Sequence, residues 1–134
     1  MESLTDQTLI QAATKAREAA YVPYSHFAVG AAVQVGDQIY TGANIENASY
    51  GLSLCAERNA IFQAVLAGHT HLDKIAVIAD TKGPVSPCGA CRQVMTEFMD
   101  PTATVLLTNL DGDLSQNQLQ ALIPGAFTKE DLHD

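Results

Sequence analysis

The sequence predicts an α/β fold: a single-domain, three-layer sandwich whose mixed five-stranded sheet carries helices on both faces. Helical and extended patterns follow one another in the order α-β-β-α-β-α-β-β-α, which is typical of a sheet covered by helices. The chain has 134 residues and is 47% apolar, enough to build one real core. No internal repeat or linker interrupts it, so we expect residues 1–134 to form one domain.

The first elements are a helix and a hairpin. Apolar residues recur at helical spacing over Thr5 to Ala20, with Thr5 or Ser3 as the cap and Pro23 as the stop. Two strands follow, joined by a Gly-Asp turn: a Val-rich segment from Phe27 to Val35 and a second from Gln38 to Ala43.

A helix, a buried strand and a further helix come next. The second helix is predicted over Cys55 to Ala67, stopped by Gly68. The segment from Asp73 to Ala79 contains the apolar residues Ile75, Ala76, Val77 and Ile78 and is predicted to be a buried strand. The third helix is predicted from Pro87 to about Met99, with Pro101 as its stop.

The last part of the chain predicts shorter elements. A fourth strand is expected over Ala103 to Thr108, followed by a turn at Asn109 to Gly112 and a short fifth strand. Short helices are expected over Gln116 to Leu122 and over Thr128 to Leu132.

The charge of the chain favours a small-molecule substrate over nucleic acid. Seven Lys and Arg stand against 15 Asp and Glu, a formal net charge of -8. A nucleic-acid-binding surface needs a basic stripe to neutralise phosphates.

No apolar run approaches the roughly 20 residues that span a bilayer, and the amino terminus lacks a secretory h-region.

All three cysteines lie in two clusters. Cys55-Ala56-Glu57 is followed, 30 residues after Glu57, by Pro87-Cys88-Gly89-Ala90-Cys91. Three thiolates suit a tetrahedral zinc ion and leave its fourth position free for water, and a nearby carboxylate can move protons. The sequence therefore predicts a catalytic Zn²⁺ site. Cysteines in metal spacing with none left over also fit a reducing cytoplasm better than a disulfide framework.

The surroundings of the predicted metal site carry positive charge. Both clusters lie at loop-to-helix junctions, where helix N-termini direct partial positive charge and free N–H groups at the sulfurs. Arg58 is a candidate donor to the thiolates, and a solvated helix arginine is the alternative. Three thiolates and Zn²⁺ sum to -1, which these groups would offset.

A closed structural zinc site is the rival interpretation, because a C-x-x-C pair also occurs in zinc knuckles and redox sites. Its fourth ligand would be a histidine: His26, His69, His71 or His133. None lies within a few residues of the cysteines, which favours the open site. We expect His69 and His71 to be solvated and assign no role to His26 or His133.

With Glu57 and Pro87, the two clusters complete a deaminase signature, and the chain resembles the small, homotetrameric, zinc-dependent class of cytidine deaminases. The resemblance runs through six segments: Tyr21 to Ser25, Asn44 to Asn47, Cys55 to Arg58, Pro84 to Gln93, Leu122 to Phe127 and Glu130 to His133. It implies zinc-dependent hydrolysis of cytidine and 2'-deoxycytidine to uridine and 2'-deoxyuridine, with release of ammonia, in pyrimidine salvage. It also implies a homotetramer whose sites are completed between subunits.

The resemblance assigns roles to single residues. Cys55, Cys88 and Cys91 would hold zinc, and Glu57 would shuttle protons. The substrate-binding positions that it implies are Phe27, Asn44, Glu46, Tyr50, Ala56 and Phe127. Of these, Asn44 and Glu46 would bind the ribose hydroxyls and Phe27 would lie against the pyrimidine, whereas Tyr50 and Phe127 would come from neighbouring subunits.

The residues alone leave other interpretations of these positions open. Phe27 could be a core aromatic of a strand, Asn44 a turn residue at positive φ, Glu46 a surface acid and Phe127 an ordinary packing residue. Three other functions also remain: a deaminase of an aminoglycosyl-type nucleoside such as blasticidin S, a nucleic-acid base deaminase and a non-catalytic zinc-stabilised interaction domain. Three features favour plain cytidine: the segment from Asn44 to Asn47, Phe27 and the carboxyl-terminal P-G-A-F.

Overall fold

The computed structural model describes residues 4–132, in which five strands form one mixed sheet of order β2-β1-β3-β4-β5. The strands are β1 (Val29–Val35), β2 (Gln38–Ala43), β3 (Leu72–Ala79), β4 (Met99–Asn109) and β5 (Leu114–Gln118). The helices are α1 (Asp6–Arg17), α2 (Ala56–Leu66), α3 (Gly89–Phe98) and α4 (Leu119–Leu122), with 3₁₀ turns at Tyr50–Leu52 and Lys129–Leu132. The predicted element order and the five-stranded mixed sheet are confirmed.

Two core clusters, one on each face of the sheet, make the fold three-layered. Alternate residues of a strand point to opposite faces, so neighbouring apolar positions enter different cores. Under α1 the sheet presents Ala32, Ala76, Ile78 and Leu106. Under α2, α3 and α4 it presents Ala31, Val33, Ile75, Val77, Val105 and Leu107. Because β3 is covered on both faces, its sequence is continuously apolar and buried from Ile75 to Ala79.

The strand directions explain where a site can form. Strands β2 and β3 are both antiparallel to β1, and β4 is parallel to β3, so β2, β3 and β4 run the same way. Their carboxyl ends meet at one edge, which is where open α/β sheets bind ligands. The segment after β2 begins at Asn44, and the segment after β3 leads to Cys88.

The amino-terminal helix is shorter than predicted. Thr5 is its cap, since its Oγ1 accepts a hydrogen bond from the Thr8 N–H at 3.1 Å; Ser3 lies outside the described residues. The helix ends at Arg17 and not near Ala20, because the chain then leaves to form a bridge in which the Tyr21 N–H donates to the Asn44 carbonyl at 2.9 Å.

Two predictions about the second half were wrong in detail. Pro101 does not end α3, which already ends at Phe98; it lies within β4, where the register with β3 shifts and no ladder N–H is required of it. The helix predicted over Gln116 to Leu122 is limited to α4, since the preceding residues pair with β4 as an edge strand.

No helix within residues 4–132 combines the length and the apolar character needed to cross a membrane.

Candidate active site

The three cysteine sulfurs meet at the carboxyl edge of the sheet. Cys55 is the N-cap of α2, Cys88 is the N-cap of α3, and Cys91 lies in the first turn of α3. The Sγ atoms of Cys55 and Cys88 are 3.7 Å apart, those of Cys88 and Cys91 are 3.4 Å apart, and all three lie within 4.8 Å of one another. Tetrahedral zinc with Zn–S bonds of about 2.3 Å separates its sulfur ligands by about 3.8 Å. The donor atoms and their spacing therefore fit zinc.

Positive groups face these sulfurs. The two cysteine N-caps place the free N–H groups of α2 and α3 beside the cluster. Nη2 of Arg58 donates to the Sγ of Cys55 at 3.3 Å, so Arg58 contacts the cluster and is not merely solvated. A hydrogen bond from the Cys91 thiol, supported by Arg58, lowers the pKa of Cys55 to about 5. The Cys55 sulfur is thus held as thiolate, the form that binds metal, whereas the shared hydrogen bond and burial raise the pKa of Cys91.

Glu57 lies beside the sulfurs and is only 4% exposed. Burial raises the pKa of its carboxyl, and the negative charge of Cys55 adds to this. Helical spacing does not put residues two apart on one face. Here Cys55 has the extended backbone of an N-cap, with φ -73° and ψ 157°. The direction of its side chain relative to Glu57 is therefore not set by helical periodicity. A carboxyl group held this way accepts a proton more readily than an ordinary glutamate and can return it.

Two contacts that sequence reasoning missed fix α2 against β2. A Cβ added to Gly42 would lie 2.4 Å from the Ala60 nitrogen and 2.8 Å from the Ala56 oxygen, so the helix packs directly on the strand backbone. Nδ2 of Asn59 donates to the Ala43 carbonyl at 2.8 Å. A glycine inside a strand is a known signal of close backbone approach and could have indicated Gly42. The sequence carries no comparable signal for Asn59.

Asn44 orders the chain that precedes β1. Its Oδ1 accepts from the Val29 N–H at 2.9 Å, and its Nδ2 donates to the Phe27 carbonyl at 2.8 Å. The interpretation of Asn44 as a turn residue at positive φ is wrong, because among residues 4–132 only His26 (φ 58°) is a non-glycine residue with positive φ. His133 lies outside the described residues.

Glu46 holds the same segment from its other end. Its Oε1 accepts from the N–H groups of Tyr24 and Ser25 at 3.1 and 3.0 Å, and its Oε2 accepts from the Ser25 hydroxyl. The Ser25 hydroxyl, together with these N–H donors, lowers the pKa of Glu46. Glu46 is therefore an ionised acceptor with several partners in the fold, which distinguishes it from a freely solvated surface acid.

Exposed aromatic side chains surround this segment. Phe27 precedes β1 and is 41% exposed, so it is not a core aromatic of a strand. Tyr50 is 67% exposed and packs edge-to-face on Tyr24, with ring centroids 5.8 Å apart. We call the exposed apolar residues of these connected loops the aromatic surface: Tyr21, Tyr24, Phe27, Ile45, Tyr50 and Leu52. Exposed apolar surface of this kind often marks an interaction site.

The remaining predicted residues differ in accessibility. Ala56 is fully buried and exposes no surface to a substrate in this chain. Phe127 is 58% exposed, which excludes an ordinary core-packing role within this chain. Its carbonyl accepts a hydrogen bond from Nε2 of Gln93 at 2.7 Å.

A cavity of about 540 Å³ lies elsewhere, between the carboxyl end of α3 and residues 119–130. Phe98, Met99, Leu119 and Ile123 are among its lining, and the predicted site residues are not. The cysteines, the buried carboxyl and the ordered loops therefore define the candidate active site, and cavity size does not.

Comparison with known proteins agrees with this geometry. The model of a family described as the cytidine and deoxycytidylate deaminase zinc-binding region matches residues 3–107. A cytidine deaminase from Halalkalibacterium halodurans is 56% identical over 129 residues, covering 96% of this chain and 98% of that protein. One from Sporosarcina psychrophila is 55% identical over 94% of this chain and 93% of its own length.

Solved structures are similar over the same extent. The crystal structure of a cytidine deaminase from Burkholderia pseudomallei superposes with a TM-score of 0.90 at 51% identity, covering 92% of this chain and all of that one. That of a cytidine deaminase from Mycobacterium tuberculosis superposes with a TM-score of 0.79 at 38% identity, over 92% and 98% of the two chains.

Proposed function

The chain belongs to the family of cytidine and deoxycytidylate deaminases, and from this premise we propose that it hydrolyses cytidine and 2'-deoxycytidine to uridine and 2'-deoxyuridine, releasing ammonia. The observation that carries the proposal is the cluster of three sulfurs at zinc-binding distances with the buried Glu57 carboxyl beside it. Because the substrates are free nucleosides, the reaction would serve pyrimidine salvage.

Cys55, Cys88 and Cys91 are the residues that would hold zinc. Their thiolates are soft ligands, and three of them leave one tetrahedral position open. When bound, zinc supplies a Lewis acid that makes a water molecule more acidic. Thiolates donate charge and weaken this effect, so the hydrogen bond from Arg58 to Cys55 and the two helix N-termini would restore part of it.

Glu57 would move the protons. Its carboxylate accepts a proton from the attacking water and delivers it to N3 of the cytosine ring, which makes C4 electrophilic. As the water oxygen bonds to C4, N3 takes the proton from Glu57. Glu57 then takes the proton of the new C4 hydroxyl and gives it to the exocyclic nitrogen, so the C4–N bond breaks, ammonia leaves and the C4 carbonyl of uridine forms. A buried carboxyl with a raised pKa accepts a proton readily and can then deliver it, as both transfers require.

Asn44 and Glu46 would recognise the sugar. Each has hydrogen-bonding positions left over: the second N–H of the Asn44 amide and further lone pairs of the Glu46 carboxylate. Phe27, which these two residues hold in place and which is exposed, would lie against the base. A 5'-phosphate would bring negative charge towards Glu46 in a chain of net charge -8, so we infer a preference for nucleosides over nucleotides.

We also infer a homotetramer. The aromatic surface exposes large apolar side chains beside the site, and Phe127 exposes its ring although its backbone is held. Burial of the aromatic surface and of the Phe127 ring between subunits would complete the pocket, with Tyr50 and Phe127 contributed by neighbours.

The three free thiols support a reducing, cytoplasmic location. We also propose that residues 1–134 act as one domain.

Zinc analysis and an absorbance assay on four compounds test the proposal. We expect close to one zinc per chain and high kcat/KM for cytidine and deoxycytidine, with much lower values for cytidine monophosphate and bare cytosine. Glu57→Ala is the matched control, because it should keep zinc and lose turnover.

The same assay separates the alternatives. Bound zinc without turnover of any cytidine compound would favour the interaction domain. Comparable values for cytidine and its monophosphate would indicate a nucleotide deaminase, and activity only on blasticidin S would indicate that class of nucleoside.

A further inference from the structure

Two consecutive residues of α3 hold both the metal-binding loop and the carboxyl-terminal segment. The Arg92 guanidinium donates from Nε to the Pro87 carbonyl at 2.9 Å and from Nη2 to the Ser86 hydroxyl at 2.6 Å. Its Nη1 donates to the Leu122 carbonyl at 2.6 Å. Arg92 thus connects the loop that leads to Cys88 with the end of α4.

Gln93 continues this connection to Phe127. Its Nε2 donates to the Phe127 carbonyl at 2.7 Å and also lies 3.4 Å from Oγ1 of Thr96. Residues 123–127 lie outside the helices and strands, and the next residue is held by the Thr128 N–H, which donates to Oδ2 of Asp131 at 2.7 Å. The contact from Gln93 is a side-chain hydrogen bond that acts on the Phe127 backbone directly, and so helps to fix where the exposed ring is presented.

We propose that Gln93 is a positioning residue for the substrate pocket of a neighbouring subunit, which it serves by fixing the Phe127 backbone. The proposal rests on the proposed function, in which Phe127 reaches a neighbour's site. A ring whose backbone is already held loses less conformational freedom when it closes over a substrate. Gln93 lies two residues after Cys91, so the same helix binds one chain's metal and orients a side chain for the next chain's base.

Variants of Gln93 should therefore weaken substrate binding and leave the metal centre unchanged. Gln93→Glu and Gln93→Met both remove the donor, and only the first adds charge. For both we expect bound zinc and kcat close to wild type and KM raised by about three- to tenfold, the worth of one hydrogen bond. Gln93 is exposed on α3, so both variants should fold.

Mixed tetramers show which subunit is affected. Co-expression of two differently tagged chains and purification on both tags would combine Gln93→Glu with Glu57→Ala. Some sites then have an intact Glu57 and a neighbour with an intact Gln93. We expect a population of sites with wild-type KM, which neither parent has.

Two further mixtures serve as controls. Phe127→Ala combined with Glu57→Ala tests the proposed function itself, since it too should recover wild-type sites. Arg58→Ala combined with Glu57→Ala should not recover them, because both changes affect residues of one chain's own metal centre.

The outcomes separate the two proposals. If sites with wild-type KM return in the mixture of Phe127→Ala and Glu57→Ala, but not when either Gln93 variant is mixed with Glu57→Ala, the role of Gln93 is overturned and the proposed function stands. If no such sites return in the Phe127→Ala mixture, completion of sites between subunits is refuted, and the role of Gln93 with it. Unchanged KM in both Gln93 variants would also overturn the inference, and so would an effect confined to Gln93→Glu, which charge alone would explain.

Discussion

Gly42→Ala should damage the site through helix placement alone. The new Cβ would lie 2.4 Å from the Ala60 nitrogen and 2.8 Å from the Ala56 oxygen. Ordinary contacts of this kind begin near 3.5 Å, so α2 must move away from β2 by about 1 Å. The start of α2 carries Cys55 as its N-cap and Glu57 in its first turn, and both would move with the helix.

The expected effects follow from that displacement. Overpacking of this kind costs about 1–3 kcal/mol of unfolding free energy. A displacement of about 1 Å at catalytic groups can cost up to about 10²-fold in rate, so we expect kcat/KM per bound zinc to fall by about ten- to a hundredfold. Urea unfolding and initial-rate kinetics normalised to zinc content measure the two quantities separately.

Gly30→Ala is the matched control. Its Cβ would lie 2.0 Å from the Ala13 oxygen and 2.7 Å from the Arg17 nitrogen, a closer approach to α1, on the face of the sheet opposite α2. This variant should lose at least as much stability while its folded molecules keep most of their turnover. If Gly42→Ala loses stability like the control but turns over normally per zinc, close packing of α2 does not position the site.

Three other predictions concern charges near the site. Glu57→Ala should retain zinc by metal analysis and lose at least about 10²–10⁴-fold in kcat, since its group acts in several proton transfers; activity within tenfold of wild type would remove it from the mechanism. Arg58→Ala should lower kcat and release zinc faster to a chelator, because Cys55 loses its charged donor; unaltered kinetics and retention would leave Arg58 without a role at the metal. Ser25→Ala should raise the pKa of Glu46 towards the ordinary glutamate value, which a carboxyl NMR titration measures. The folded pKa is lowered, so the stabilisation from Glu46 is present above the ordinary value and lost as pH falls through the folded one. In the variant the folded pKa lies closer to the ordinary value, so this loss should be smaller and should be complete at a higher pH.

The sequence predicted best where local pattern and chemistry coincide. The spacing of Cys88 and Cys91 within one helix turn, and the single Cys55 ahead of a second helix, indicated the cluster that the fold assembles. The sequence predicted least where contacts between distant segments determine the structure. The proline of the β4 bulge looked like a helix stop because only the register with β3 reveals its position. The glycine at position 42 signals a close approach to its strand, but only the folded structure shows that the approaching element is α2.

Asn44 and Glu46 show why a residue's role in the fold and its role in binding need not be alternatives. Both use part of their polar atoms to order the segment from Tyr24 to Val29, and that segment presents Phe27. A sugar hydroxyl would then meet polar groups whose geometry is already set, which lowers the entropic cost of binding. It follows that an Asn44→Ala variant should lose more than a ribose contact, because the Phe27 carbonyl and the Val29 N–H lose their partner as well. Bare cytosine separates the two roles. If its kcat/KM falls together with that of cytidine, Asn44 acts partly through Phe27 and the base, whereas a loss confined to cytidine would restrict Asn44 to the sugar.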